Sequence, residues 1–273
     1  MHRCRRHRLD CLALLTLVAV APLLSSRASA ATYYWDTTPG AMTGGDGAWS
    51  TAGTDWSLSS TGDASLAAWP GGGNIADFYA NYSGSAGSIA VSGNVAANAI
   101  TFDGAGYLLS GGAISLGGGG VVANQAAMIN STIQGNSGLL KTGTGALTLG
   151  GSNVYVGGTT ISGGMLRVGA SNALPIAGTV TLGGLNTAGT LDLAGNNQQV
   201  AGLAVAPAAN PAGQIIGNSS TTGNATITFS GSGQPQTFNG TIQDALGGGN
   251  KKVGLAVSSG VLILGGSNTY TGG

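Results

Sequence analysis

Few residues of this chain could do chemistry, and beyond residue 30 all the acidic ones are aspartates. That part of the sequence contains no histidine, no cysteine and no glutamate. Ser-His-Asp and Cys-His nucleophilic machinery is therefore excluded, as are zinc sites of the usual His/Cys type. The sequence has no phosphate-binding Gly-x-x-x-x-Gly-Lys-Ser/Thr loop and no tandem Gly-Gly-x-Gly-x-Asp repeat of the kind that stacks calcium sites. We therefore predict no catalytic residue, no metal site and no cofactor.

Paired aspartates are the remaining route to catalysis, as in glycoside hydrolysis. The candidates lie among tryptophans, a mixture that could contact sugars: Asp46, Asp55 and Asp63, with Trp49, Trp56 and Trp69. Two alternatives follow, a β-helix polysaccharide hydrolase or lyase and a carbohydrate-binding module. The favoured interpretation is structural, because exposed coil edges invite aggregation and a region rich in aromatic and charged residues would cap them. Asp103 and Asp192 are predicted to be solvent-facing strand or turn residues.

Short β-strands are the elements that must position these residues. From Ser88 onward, runs of Thr, Val, Ile and Leu alternate apolar with small or polar residues, the period of a strand with one buried face. Gly, Asn and Ser separate the runs, and 52 of the 273 residues are glycine. With 42% hydrophobic residues and 7 prolines, the composition supports a core and argues against general disorder. Since no segment shows helical periodicity, the predicted fold class is all-β.

An internal repeat indicates how such short strands are stabilised. The segment 147–158, LTLGGSNVYVGG, returns as LILGGSNTYTGG at 262–273, with the same residue at nine of twelve positions. Stacked coils of a solenoid would cover one another's apolar faces, at about 20 residues a coil and roughly a dozen coils. Asn153 and Asn268 could then stack in ladders with asparagines of neighbouring coils. A β-sandwich or jelly roll is the alternative architecture.

The first 30 residues have the three parts of a secretory signal peptide. A basic start precedes an apolar run from Leu12 to Leu24, and Ala28-Ser-Ala30 supplies the small-residue cleavage pattern, which predicts cleavage near Ala30. Both cysteines lie in this leader, so no disulfide is predicted in the exported chain. Beyond it, four basic residues and eight aspartates give a net charge of −4. This part of the chain therefore lacks the basic surface patch that nucleic-acid binding requires. The predicted regions are the signal peptide at 1–30, a Trp/Asp-rich cap at 31–87 and the solenoid at 88–273.

The repeated segment and its surroundings resemble the autotransporter-associated β-strand repeat, also called the passenger-associated transport repeat. The family pattern has Gly-Thr-Gly with Leu-Thr-Leu, then Gly-x-Asn-x-Tyr-x-Gly-Gly-Thr-Thr, then Gly-Gly-x-Leu. This chain has KTGTGALTL at 141–149, GSNVYVGGTT at 151–160 and GGML at 163–166. The resemblance is tight over 130–175. A second copy at 238–273 lacks the Lys-Thr-Gly-Thr-Gly lead-in and stops before its Thr-Thr.

The resemblance implies a right-handed parallel β-helix passenger displayed at, or released from, a Gram-negative-type cell surface or outer membrane. The implied function is the non-catalytic stem of an autotransporter-like adhesin. Its implied partners are host or environmental glycans and surfaces, together with a C-terminal outer-membrane β-barrel that this chain does not include. A sequence that ends in mid-motif is expected to be an N-terminal fragment, and a short secreted protein is the alternative.

Overall fold

The structure is a computed structural model that describes residues 29–79 and 86–273. The predicted signal peptide lies outside the described residues except for its last two positions. The described chain contains no α-helix, and a 3₁₀ turn at Pro211–Gly213 is the one helical element assigned within it. The prediction of an all-β fold is therefore confirmed.

Most of the strands are only three to five residues long, as the spacing of glycine and asparagine predicts. They are β1 (Thr32–Trp35), β2 (Gly47–Trp49), β3 (Trp56–Ser57), β4 (Ile75–Phe78), β5 (Ser88–Phe102), β6 (Leu108–Ala123), β7 (Ala127–Ile129), β8 (Thr132–Gln134), β9 (Leu139–Thr142), β10 (Ala146–Leu149), β11 (Thr159–Ile161), β12 (Gly164–Val168), β13 (Thr179–Leu182), β14 (Gly189–Asp192), β15 (Gln198–Val200), β16 (Gly202–Val205), β17 (Ile215–Asn218), β18 (Ala225–Ser230), β19 (Gln236–Phe238), β20 (Thr241–Ala245), β21 (Val253–Ser259) and β22 (Leu262–Leu264).

Successive coils add one strand to each of three parallel ladders, which we call faces A, B and C. Face A runs through β1, β4, the ends of β5 and β6, then β9, β11, β13 and β16. Face B runs through β2, the starts of β5 and β6, then β7, β10, β12, β14, β17 and β20. Face C contains the middles of β5 and β6, then β8, and later β15, β18 and β21.

This topology excludes the sandwich and jelly-roll alternative, because among the named strands only β1 and β3 pair antiparallel. The solenoid prediction is therefore confirmed, but the number of coils was overestimated. The described chain makes about 8 turns, which at about 4.8 Å a coil is roughly 38 Å. Ile129 pairs with Leu149, a coil of 20 residues, whereas Ile227 pairs with Leu255, a coil of 28. Longer corner loops in the C-terminal half use up the residues assigned to further coils.

The core is a set of columns in which one inward residue from each coil stacks on the next. On face B, Ile89, Leu109, Ile129, Leu149 and Val168 follow one another in register, and all are buried. Burial alternates along the strands, as in β18, where every second residue is buried. Each such side chain contributes about 1.5–3 kcal/mol when it leaves water. The period-2 pattern therefore identified the buried face of the strands correctly.

Candidate functional site

The four tryptophans form an aromatic cluster at the N-terminal end of the solenoid. Trp35, Trp49, Trp56 and Trp69 are 0–2% exposed. Their ring centroids lie 4.7–5.4 Å apart, mostly edge to face, and Phe78 joins the cluster. A sugar can stack only on an exposed ring face, and these rings have none. The cluster is therefore packing for the end of the coil stack rather than a platform for a glycan.

Strand pairing joins this end to the rest of the solenoid. β1 pairs in parallel with β4, β4 with the end of β5, and β2 with the start of β5, so stacking crosses the predicted boundary between residues 87 and 88. Two indole N–H groups tie the cluster to the backbone. Trp35 Nε1 donates to the oxygen of Gly45 at 3.0 Å, and Trp69 Nε1 donates to the oxygen of Ala96 at 2.8 Å. The division into a cap at 31–87 and a solenoid at 88–273 stays a prediction.

The three aspartates considered for polysaccharide chemistry are not arranged as a pair. Asp46 Oδ1 accepts the amide of Ser88 at 2.7 Å. Asp63 Oδ2 accepts the hydroxyl of Ser57 at 2.8 Å, and hydrogen bonds of this kind lower the pKa of Asp63. Partial burial raises the pKa of Asp55. Neither the pKa of Asp55 nor that of Asp63 is shifted by a neighbouring carboxylate. These residues therefore lack the mutual charge effect that makes one carboxyl group an acid and the other a nucleophile.

A closer pair of carboxylates lies at the corner that follows face A, and sequence reasoning missed it. Asp77 in β4 lies between Tyr34 of β1 and Thr101 of β5. Asp103 follows two residues beyond Thr101. Burial, and secondly the charge of Asp103, raise the pKa of Asp77 to about 7. Asp77 Oδ1 is buried with no hydrogen-bond partner, whereas Asp103 Oδ1 accepts the amide of Asn124 at 2.6 Å.

A third aspartate belongs to the same corner on the preceding coil. Asp36 is fully buried, and its Oδ1 accepts the amides of Thr38 and Thr43 at 3.1 and 3.3 Å. Its Oδ2 has no hydrogen-bond partner. Burial, then the charges of Asp77 and Asp36, raise the pKa of Tyr107. We call Asp36, Asp77 and Asp103 the carboxylate corner. Asp77 and Asp103 are 26 positions apart in sequence, so only the register of the coils brings them together.

The lysine of the repeat is a buried cation held by carbonyl groups. Lys141 has no exposed surface. Its Nζ donates to the oxygens of Thr142, Gly143, Gly145 and Gly163 at 2.7–3.0 Å. Since Gly163 lies one coil further on, the ammonium group ties two corners together. Burial lowers the pKa of Lys141 to about 8, while the four carbonyl dipoles favour the charged form.

The repeated asparagines bond to the backbone rather than stacking on other asparagines, which corrects our expectation. Asn153 Oδ1 accepts the amide of Ile133 at 2.6 Å on the coil before, and its Nδ2 donates to Ala173 at 2.8 Å on the coil after. Asn268 repeats the first contact, accepting the amide of Ile242 at 2.8 Å. A side-chain amide can replace one ladder bond to each neighbouring coil where the backbone leaves strand geometry.

Asp192 is buried, contrary to the prediction that it faces solvent. Its Oδ2 accepts Arg167 Nε at 2.7 Å and the hydroxyl of Ser219 at 2.6 Å, and its Oδ1 accepts two amides at 2.9 Å. This is the one ion pair between charged side chains found among the described residues. The side chain is buried because Arg167 on the coil before and Ser219 on the coil after both pack against it. Asp103, also predicted to face solvent, is half-buried and lies directly after the end of β5.

The surface of the described residues has shallow apolar cavities. Val154 and Val156, both exposed, border a cavity of about 480 Å³, and Ile176 borders a neighbouring one of about 280 Å³. No charged side chain lines either cavity. Within residues 29–79 and 86–273, no three His, Cys, Asp or Glu side chains are grouped to hold a metal ion. The same residues contain no helix long and apolar enough to cross a membrane.

The fold and the repeated corner residues define the class, a parallel β-solenoid with a buried asparagine bridging its coils. The chain matches the Passenger-associated-transport-repeat family at residues 139–168 and 258–273. It therefore carries two passenger-associated transport repeats, as the resemblance predicted.

A curated relative extends the similarity along the chain. The chain is 32% identical over 265 residues to the protein named "Adhesin BmaC autotransporter" of Brucella suis biovar 1 (strain 1330). The match covers 94% of this chain but only 7% of the relative, so the chain spans a small part of the relative's length. No solved structure matches the chain significantly.

Proposed function

We propose that this chain is a non-catalytic, surface-displayed or secreted β-solenoid passenger, the stem of an autotransporter-like adhesin. The observation that carries the proposal is the run of parallel pairing from β1 onward with passenger-associated transport repeats within it. The similarity to a protein named as an autotransporter adhesin supports the same role. Export by a signal peptide cleaved near Ala30 belongs to this proposal.

The physical basis of a stem is a backbone ladder that continues from coil to coil. Each inner coil is held by parallel hydrogen bonds to both neighbours, so the structure is stiff along its axis and its stability does not depend on any single long-range contact. The chain beyond residue 30 has no cysteine, and its stability therefore does not depend on the redox state of the surroundings.

The two carbohydrate alternatives receive no support from a specific observation. The indole faces are buried, and Asp46 and Asp63 serve as acceptors for nearby backbone and hydroxyl groups. Binding to host or environmental glycans would therefore use another part of the surface or another segment of a longer chain. A C-terminal outer-membrane β-barrel is the proposed anchoring partner.

Display on cells tests the proposal directly. The chain is fused ahead of an outer-membrane β-barrel in a Gram-negative host, and intact cells are treated with protease and with an antibody against the solenoid. We expect antibody binding and resistance of the solenoid to protease, and no antibody binding to intact cells that express a version lacking residues 1–30. Ile133→Asp is the matched control for folding, because Ile133 is fully buried in the core. Its solenoid should be cleaved.

Adhesion and catalysis are measured on the same cells. We expect the displaying cells to attach to a panel of immobilised glycans or host cells more than barrel-only cells do, without release of reducing ends. A wild-type chain that stays inside the cell contradicts the display proposal. Release of reducing ends that is lost in Asp46→Asn or Asp55→Asn contradicts the non-catalytic one.

A further inference from the structure

The carboxylate corner concentrates negative charge, and no basic side chain within residues 29–79 and 86–273 forms an ion pair with it. Asp36, Asp77 and Asp103 lie on three successive coils at one corner, and coils are spaced by about 4.8 Å. The one ion pair among the described residues is on face B, between Arg167 and Asp192. Like charges on neighbouring coils repel, and the repulsion is stronger where burial removes the screening by water. A cation bound nearby would stabilise such a cluster.

Two carboxylate oxygens at this corner are also buried without a hydrogen bond. They are Asp77 Oδ1, on a residue only 7% exposed, and Oδ2 of the fully buried Asp36. A buried carboxylate oxygen without a partner costs more than a neutral group would, because the charge has been taken out of water. Asp63 and Asp192, whose oxygens accept backbone amides, show how this chain satisfies aspartates elsewhere. Asp77 Oδ1 is therefore available to bind a ligand that comes from solution.

We propose that a divalent cation, Ca²⁺ in preference to Mg²⁺, binds at the carboxylate corner between Asp77 and Asp103. Ca²⁺ accepts oxygen ligands in flexible geometry at 2.3–2.6 Å, whereas Mg²⁺ demands a near-ideal octahedron and sheds its waters reluctantly. Cross-strand register sets the spacing: Asp77 is paired with Thr101, and Asp103 lies two residues further on, a diagonal position about 7–8 Å away that two carboxylates can span through a shared cation. This departs from our sequence-based expectation of no metal.

The remaining coordination comes from oxygen atoms and water rather than from a third protein carboxylate. No group of three acidic side chains within the described residues has metal-binding geometry. Two carboxylates with added water suit the weak range of extracellular calcium modules, with Kd of about 10⁻⁴–10⁻³ M. Asn124, which donates to Asp103 Oδ1, is a positioning residue for that ligand. The bound cation would tie β4 to the coil that follows it, next to the tryptophan cluster.

Terbium luminescence and thermal unfolding test the site on the purified chain. Tb³⁺ substitutes for Ca²⁺, and excitation of Tyr34 and Tyr79, whose rings pack 6.5 Å apart beside Asp77, should sensitise its emission. We expect Ca²⁺ to compete for the Tb³⁺ signal, and 10 mM Ca²⁺ to raise the Tm above its value in EGTA by about 3–10 °C. Mg²⁺ at the same concentration should raise it less.

Substitutions separate binding at this corner from binding elsewhere. Asp77→Asn and Asp103→Asn should each weaken Tb³⁺ affinity at least about tenfold and abolish the Ca²⁺ shift. Asp77→Asn should fold, with a Tm in EGTA at or above that of the wild type, because it removes a buried, repelled charge. Asp244→Asn is the matched control: Asp244 is half-buried and bonded to Thr271 at the other end of the solenoid, and the variant should bind Tb³⁺ normally.

Three outcomes would overturn the proposal. The first is a wild-type chain with neither a sensitised Tb³⁺ signal nor a Ca²⁺ shift, in which case a proton alone balances the corner. The second is full retention of the shift in Asp77→Asn. The third is loss of the shift in Asp244→Asn with retention in Asp103→Asn, which would place the cation at the other end of the solenoid.

Discussion

Replacing Asn153 with alanine should open the solenoid locally, far more than the same change at Asn268. Asn153 is 5% exposed and makes three hydrogen bonds: it accepts from Ile133 at 2.6 Å and donates to Gly151 and Ala173 at 3.1 and 2.8 Å. These bonds join three successive coils. Asn268 makes two, accepting from Ile242 and donating to a glycine oxygen, and it is only half-buried.

The difference in burial between Asn153 and Asn268 determines how much stability each substitution costs. Asn153→Ala leaves the amide of the fully buried Ile133 without a partner, which costs about 1–3 kcal/mol, and removes two neutral bonds to carbonyls worth about 0.5–1 kcal/mol each. The expected loss is about 3 kcal/mol. In Asn268→Ala the freed amide belongs to Ile242, which is also fully buried, but its partner Asn268 is half-buried, so water can reach the amide from that side and the expected loss is about 1 kcal/mol. A gap of about 2 kcal/mol is roughly 30-fold in an opening equilibrium.

Hydrogen exchange measures this directly, because a solenoid opens in local units rather than in one global step. Peptides covering β8 should exchange about 100-fold faster in Asn153→Ala, whereas peptides covering β1 and β4 should be unchanged. Peptides covering β20 in Asn268→Ala should accelerate by only about fivefold. If the two variants accelerate exchange equally, or if β8 keeps its protection in Asn153→Ala, the bridging role assigned to the buried asparagine is wrong.

The remaining predictions concern the buried cation, the ion pair and the tight corners. The unfolded chain keeps the Lys141 proton up to about pH 10.5, whereas the folded chain releases it near pH 8. The free energy of unfolding should therefore rise with pH between these two values. Lys141→Met should abolish that rise, as measured by denaturant titrations. Arg167→Met strips the cation from the fully buried Asp192 and should cost about 3 kcal/mol in urea unfolding; a loss under 1 kcal/mol would show that the other donors suffice. Gly151→Ala places a Cβ 2.5 Å from a backbone oxygen and should lower the Tm by several degrees, whereas Gly248→Ala, with open space around it, should not.

The sequence was sufficient to predict the architecture because the determinants of a solenoid are local and repeated. A twelve-residue segment that recurs, a period-2 pattern and frequent glycine all indicate stacking, and each is visible without alignment. The tryptophans were also placed correctly at one end of the stack, because all four precede the repeated strands in the sequence. The number of coils was not predictable from the repeat, because the first copy lies in a coil of 20 residues, from Ile129 to Leu149, whereas the second lies in a coil of 26, from Phe238 to Leu264.

The contacts between coils could not be predicted, because they depend on register. Asp77 and Asp103 are neighbours only because β4 pairs with the end of β5, and no sequence spacing encodes that pairing. Asp192 appeared to be a surface residue of a Leu-Asp-Leu strand, yet Arg167 pairs with it directly on the preceding coil. A charged residue in a solenoid strand should therefore be judged against the residue one coil earlier and one coil later.

Corner packing explains why glycine recurs at fixed points in both copies of the repeat. At Gly151 and at Gly138, an added Cβ would lie 2.5 and 2.7 Å from backbone oxygens of adjacent coils, so glycine is required there by contact and not by backbone angle alone. At Gly266, the equivalent of Gly151 in the second copy, an added Cβ would clash even more closely with the oxygen of Gly240. The first copy lies in a coil of 20 residues, from Ile129 to Leu149, and the second in a coil of 26, from Phe238 to Leu264. The close corner is therefore kept when the coil lengthens, and the additional residues enter elsewhere in the coil.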